Sequence, residues 1–205
     1  MNSFYLKLLA VVLMVIDHIG FFIFPQYTIL RVIGRLSFPL FGFLIANGYK
    51  YTRDKKKYFI RLFVFANIIQ IPSLFMTIPV NIFYTLSFGL LCIMIYESDY
   101  DDIKKIAGIA GVLFVTLTIQ PDYSIYGVLL IFSIHLLKDR YIYMIGVFLL
   151  LSIILYGPTS IQGFAALTPL IFMTYNQQKG RSMKYLFYLF YPVHIVFLEW
   201  LGQRI

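Results

Sequence analysis

Residues 6–24 read Leu-Lys-Leu-Leu-Ala-Val-Val-Leu-Met-Val-Ile-Asp-His-Ile-Gly-Phe-Phe-Ile-Phe. After Lys7 the run is apolar to Phe24 except for the adjacent pair Asp17–His18 and Gly20. A helix that crosses a bilayer needs roughly 20 mostly apolar residues, with a range of about 17–25. The same pattern recurs along the chain, at about 8–24, 33–49, 58–76, 82–96, 103–119, 124–137, 141–156, 160–175 and 185–202. These stretches predict an all-α fold: a polytopic transmembrane helix bundle of about nine spanning helices in one domain, residues 1–205. Segments 124–137 and 141–156 are short and read as the ones to be irregular or merged. No internal repeat is evident.

Composition agrees. Sixty per cent of the residues are hydrophobic, 13% are charged, and the mean hydropathy is +0.83. Soluble domains carry about 45–50% apolar and about 25% charged residues. A soluble fold of this make-up lacks the polar side chains to cover itself, whereas a lipid-facing exterior does not need them. The net charge of +8 sits in short runs between apolar stretches, not on a continuous basic face, which argues against nucleic acid as a partner. The single cysteine, Cys92, excludes an intrachain disulfide, and no Cys/His spacing suggests a metal site.

Loop charge sets the orientation. With a cytoplasmic N-terminus, the inner segments hold Lys7, Lys50, Arg53, Lys55, Lys56, Lys57, Lys104, Lys105, Lys138, Arg140, Lys179, Arg181 and Lys184, thirteen of the seventeen basic residues. The outer segments hold only Arg204 clearly. This predicts an odd number of spans, with the N-terminus inside and the C-terminus outside. Asp17 and His18 interrupt the first apolar run and no small-residue cleavage site follows, so the first segment reads as a retained helix, not a signal peptide.

A charge at bilayer depth costs about 2.5–3.5 kcal/mol on insertion scales, so each one present is a functional candidate. Asp17 and His18 are neighbours and do not share a helix face. Asp17 is therefore expected to pair with Arg31 or Arg35, which are four apart and on one face, not to orient His18. Arg31 and Arg61 also suit snorkelling to headgroups. His194 follows Pro192 in the last segment and suits bonding to backbone freed by that proline. His135 reads as interfacial, and Asn47, Asn67, Gln70 and Asn81 as interhelical glue.

Lys7 and His18 are eleven residues apart, almost three full helical turns, so they share a face about 16 Å apart along the axis. That geometry suits an elongated ligand with an anionic head and a reactive tail. Acyl-CoA has this shape: a cation holds its phosphates and a histidine waits near its thioester.

Several stretches resemble the TraX family: Leu6–Gly20; Arg31-Val-Ile-Gly-Arg-Leu-Ser-Phe-Pro-Leu-Phe41; Asn47-Gly-Tyr49 through Thr52-Arg53; Tyr58–Arg61; Asn81–Gly89; and Phe187-Tyr-Leu-Phe-Tyr-Pro-Val-His194. The resemblance is densest over residues 6–90 and 184–200 and faint over 98–180. TraX proteins are identified with acetylation of the pilin N-terminus in conjugation, and are similar in turn to the acyltransferase-3 class. That class opens with a basic residue, ten residues and a histidine; Lys7 and His18 match the spacing, with lysine where arginine is common.

The resemblance implies a membrane acetyltransferase using cytoplasmic acetyl-CoA, with acyl transfer implied more strongly than pilin as acceptor. It implies Lys7, with Arg61, at the CoA phosphates. His18 would be general base or transient acetyl carrier, and Arg35 an oxyanion stabiliser or the holder of Asp17. Arg31, Tyr191 and His194 would line the acceptor side, toward a peptide N-terminus or a surface glycan. Two other classes stay open: a proton-coupled transporter, suggested by buried Asp, His and Arg, and a non-enzymatic accessory subunit.

Overall fold

The computed structural model describes residues 1–71, 80–178, 180 and 184–204. The described residues form α-helices and one 3₁₀ run, with no strand among them. They fall into two compact units, one of Met1–Phe41 with Asp139–Ile205, the other of Gly42–Lys138.

In the first unit, α1 (Ser3–Phe22) packs on α2 (Thr28–Gly34) and on α10 (Lys184–Gly202). Asn2 starts α1, its side chain accepting from the amides of Phe4 and Tyr5 at 3.1 and 3.2 Å. From there α1 runs unbroken for 20 residues, about 30 Å. The segment 174–178 braces this end. Ser3 donates its amide to the Gln178 carbonyl at 2.8 Å, and its hydroxyl lies 2.9 Å from the Tyr175 hydroxyl.

Two glycines allow α1 and α2 to touch. A Cβ on Gly20 would come 2.7 Å from Leu30 Cβ. A Cβ on Gly34 would overlap the Asp17 side chain and sit 2.6 Å from its Cα. After Gly34 the helix tightens, with the Arg35 amide shared between the Arg31 and Val32 carbonyls and the Leu36 amide going to Ile33. Pro39 explains the break: its ring excludes the carbonyl four residues back, that of Arg35, from an α-helical bond. α3 (Ser37–Tyr51) then resumes, and the buried Ser37 hydroxyl donates to the Ala10 carbonyl of α1 at 2.8 Å.

The rest of this unit is α8 (Tyr141–Tyr156), a 3₁₀ run (Ile161–Leu167) and the short α9 (Thr168–Phe172) with Pro169 in its first turn. The stretch expected as a spanning segment at 160–175 is thus a 3₁₀ run joined to five residues of α-helix.

In the second unit α5 (Ile82–Tyr96) is the central helix, packed by α4 (Lys55–Gln70), α6 (Asp102–Ile119) and α7 (Ser124–Leu137). It is buried on most sides, and Phe88 and Cys92 join Val112 and Val128 in its core. Gly89 permits the α5–α7 contact, since a Cβ there would lie 2.8 Å from Ile131. The Asn81 amide group ties α5 to α4 through the Ala66 carbonyl (2.9 Å) and Gln70 (2.7 Å), and Tyr84 donates to Asn67 at 3.0 Å. Both are the glue roles expected of these residues. Asn47 instead bonds within its own helix, to the Phe43 carbonyl. His135, at the end of α7, pairs with Glu97 at 2.7 Å.

Asp54 and Asp101 cap α4 and α6. The backbone amide of Lys57 is the main influence holding the Asp54 carboxyl below its ordinary range. For Asp101 it is the Lys104 ammonium. Both caps therefore support their helices at neutral pH and lose that support as pH falls through the lowered values.

Six expected segments appear as helices within a few residues: α1, α5, α6, α7, α8 and α10. Segments 124–137 and 141–156, expected to be irregular or merged, are separate regular helices divided at Lys138, whose φ is +49°. The expected 33–49 helix starts earlier, at Thr28, and bends at residues 35–36. Of the expected 58–76 segment, residues 72–76 lie outside the described residues, as do Lys179 and Arg181 of the inner basic set.

The two close approaches define a test. Gly34→Ala should destabilise the protein by about 1–3 kcal/mol, the usual cost of overpacking. Gly146→Ala on α8, where a Cβ meets nothing within 4 Å, should be neutral or stabilise by about 0.4–1 kcal/mol. Thermal unfolding in detergent reads both, and equal midpoints for the two variants would refute the α1–α2 contact.

Candidate functional site

Successive residues on a helix point about 100° apart. Asp17 and His18, adjacent on α1, accordingly meet different neighbours.

Asp17 turns toward α2. Arg31 Nη1 reaches its Oδ2 at 2.5 Å and its backbone carbonyl at 3.1 Å. Arg35 Nη2 lies 2.6 Å from both Oδ1 and Oδ2. Asp17 thus takes both of the arginines offered to it by the sequence. The guanidinium of Arg31 also stands 4.9 Å over the Phe21 ring, a favourable site for a cation. The cluster is nearly dry: side-chain exposure is 9% for Asp17, 12% for Arg35 and 24% for Arg31.

Arg35 extends the network to Gln162 of the 3₁₀ run, donating from Nη1 to Oε1 at 3.3 Å. The backbone carbonyl of Gln162 accepts from Ser152 of α8. The Gln162 side-chain nitrogen and the Thr168 hydroxyl are buried without a hydrogen-bond partner among the described residues.

His18 turns toward α10. Its Nδ1 is 2.8 Å from Nε2 of His194, and the rings stack at 4.9 Å and 27°. His194 is 6% exposed. Its Nδ1 is 2.8 Å from the Phe190 carbonyl, its ring lies flat on Phe190 at 4.8 Å, and Tyr191 meets it edge-on at 5.9 Å. The Phe22 ring is 6.0 Å from His18.

The structure therefore brings together two groups of expected site residues, Asp17–Arg31–Arg35 and His18–His194–Tyr191. Lys7 is half-buried on α1, on the face that carries His18, with no helix break between them. Arg61 belongs to the second unit, exposed on α4, its guanidinium 5.7 Å from the Tyr58 ring centre. Gln162, Ser37 and the Phe190 carbonyl were not expected. The only sequence signal for Gln162 is a polar residue in an apolar run. Among the described residues no group of three or more His, Cys, Asp or Glu could hold a metal ion.

Removing the shared anion leaves two buried cations facing each other, a change that costs about 3–5 kcal/mol for buried pairs. Asp17→Asn should lower thermal stability by that order, and Arg31→Met, at the wetter edge, by less. An unfolding midpoint unchanged in Asp17→Asn would contradict the cluster's role.

A family model described as TraX protein matches residues 3–202. A probable fimbrial assembly protein, FimC of serogroup H1, from Dichelobacter nodosus is 31% identical over 238 aligned residues, covering 96% of this chain and 94% of that protein. An uncharacterized protein, RP591, of Rickettsia prowazekii (strain Madrid E) is 46% identical over 66 residues, 32% of this chain and 25% of that protein. No solved structure matches. Matched along nearly its whole length, the chain belongs to the TraX family.

Proposed function

We propose that this protein spans the bacterial cytoplasmic membrane about nine times, N-terminus inside. In this reading it moves an acetyl group from cytoplasmic acetyl-CoA to an amine or hydroxyl at the opposite face. Supporting the membrane part, Ser3–Phe22 and Thr28–Tyr51 are long and apolar enough to cross, and four shorter apolar helical stretches accompany them. Large side chains also stand in the open, among them Ile103 at 80%, Ile142 at 77% and Phe114 at 69% exposure. Water penalises such a surface and lipid does not.

The observation that carries the enzymatic part is the His18 ring, fixed by His194 on the face of an unbroken helix that also bears Lys7. In this reading Lys7 attracts the CoA phosphates, and His18 takes the proton from the acceptor as its nitrogen or oxygen attacks the thioester carbonyl. The carbon–sulfur bond breaks, and the departing thiolate of CoA recovers the proton from His18. Asp17, Arg31 and Arg35 hold α1 and α2 in place around this step. The relative described as a fimbrial assembly protein favours the N-terminal amine of a fimbrial or pilin-type subunit as acceptor, with a surface glycan as the other choice of the same chemistry.

The same relative supports a second reading, a non-enzymatic assembly factor. Acetyl-CoA turnover by purified protein in liposomes separates the two. Wild type should release CoA slowly without acceptor and faster with a peptide bearing a free N-terminus. His18→Ala should lower the rate by about 10²–10⁴-fold, the usual worth of a general base, and Lys7→Ala should act mainly on KM. If wild type neither binds nor cleaves acetyl-CoA, the acyl-transfer reading fails and the assembly reading takes its place.

A further inference from the structure

We infer that His194 is a positioning residue that fixes the proton order of a two-histidine relay, leaving His18 Nε2 as its free base nitrogen. This rests, for its catalytic meaning, on the acyl-transfer reading above, while the relay itself does not.

The relay begins at a backbone carbonyl. Phe190 oxygen only accepts, so His194 Nδ1, 2.8 Å away, must carry a proton and donate it. A neutral imidazole has one N–H, so His194 Nε2 is then an acceptor. His18 Nδ1, 2.8 Å from that nitrogen, must in turn be the donor. In the neutral pair, therefore, both rings are protonated at Nδ1 and the lone pair of His18 sits on Nε2.

The order has a chemical consequence. When His18 Nε2 takes a proton from an acceptor group, His18 becomes an imidazolium and still donates from Nδ1 to His194. No ring flips and no hydrogen bond is lost on protonation or on return. A base oriented by a third group is the logic of hydrolytic triads, here with a neutral imidazole where a carboxylate is usual. Asp17, the nearest carboxylate in sequence, is occupied by Arg31 and Arg35. Packing holds the orienting ring, since His194 is stacked on Phe190 and edged by Tyr191.

The test reads protons directly. The chain has three histidines, His18, His135 and His194, so ¹⁵N-histidine NMR of the protein in detergent at alkaline pH resolves each ring, with His135 as internal reference. In wild type His18 and His194 should both be Nδ1-protonated. In His194→Phe, which keeps a flat ring and removes the acceptor, His18 should lose its fixed tautomer. With acetyl-CoA, kcat should fall about 10–100-fold in this variant while KM holds, the signature of a loss felt only in the transition state. His194→Gln, whose Oε1 can accept from His18, should recover part of both. Nε2-protonated His18 in wild type, or an unchanged tautomer in His194→Phe, would overturn the relay. Wild type with the expected tautomers but no acetyl-CoA turnover upholds the relay and sinks the acyl-transfer reading alone.

Discussion

A buried carboxylate with two guanidinium groups on it constrains the first unit more than any other contact. Asp17 is a carboxylate that Arg31 and Arg35 both engage, and each arginine needs an anion in surroundings that solvate charge poorly. Satisfying both requires the α1 and α2 backbones to come very close. Gly34 supplies that closeness at Asp17 itself, and Gly20 repeats it one turn on. The bend enforced by Pro39 follows immediately, and Ser37 fastens the far side of it to Ala10. Charge pairing, small residues and a proline thus act on one short crossing, and each makes sense only with the others.

The second consequence is a division of labour on α1. The charged cluster faces one neighbour and the imidazole faces another. Both oxygens of the Asp17 carboxylate already accept from permanent cations. The histidine pair has the opposite character: uncharged partners, a carbonyl at its closed end, and one ring nitrogen left over. The ion cluster and the imidazole pair thus sit side by side on α1, Asp17 bonded to Arg31 and Arg35 and His18 to His194.

Much of the helical layout was legible in the sequence because it depends on local signals. Apolar runs bounded by Asn2, Asp54, Asn81 and Asp101 end or begin where those side chains cap helices. Apolarity alone, though, does not report hydrogen-bond pattern. The 3₁₀ run at Ile161–Leu167 and the bend at Arg35 look like helix to a hydropathy reading, although Pro39 and Pro169 stood in view. The ion cluster was half legible: a lone carboxylate in an apolar run demands a cation, but nothing in the spacing says that it takes two. The histidine pair was not legible as a pair. Its members are 176 residues apart, and Gln162 is 127 from Arg35. No periodicity links positions so distant, and only packing reveals them.

The unbroken course of α1 bears on which changes of chain length the protein can absorb. Between Lys7 and His18 there is no loop, bulge or proline to take up an extra residue. Inserting or deleting one amino acid there would swing Lys7 by about 100° and shift it about 1.5 Å along the axis, relative to an anchored Asp17–His18 end. It would also pull the start of α1 out of register with the 174–178 segment that braces it. Residues 98–100, between the Glu97 cap of α5 and the Asp101 cap of α6 in the second unit, face no comparable demand. Gains and losses of residues among relatives should therefore gather in such connections and leave the first turns of α1 at constant length.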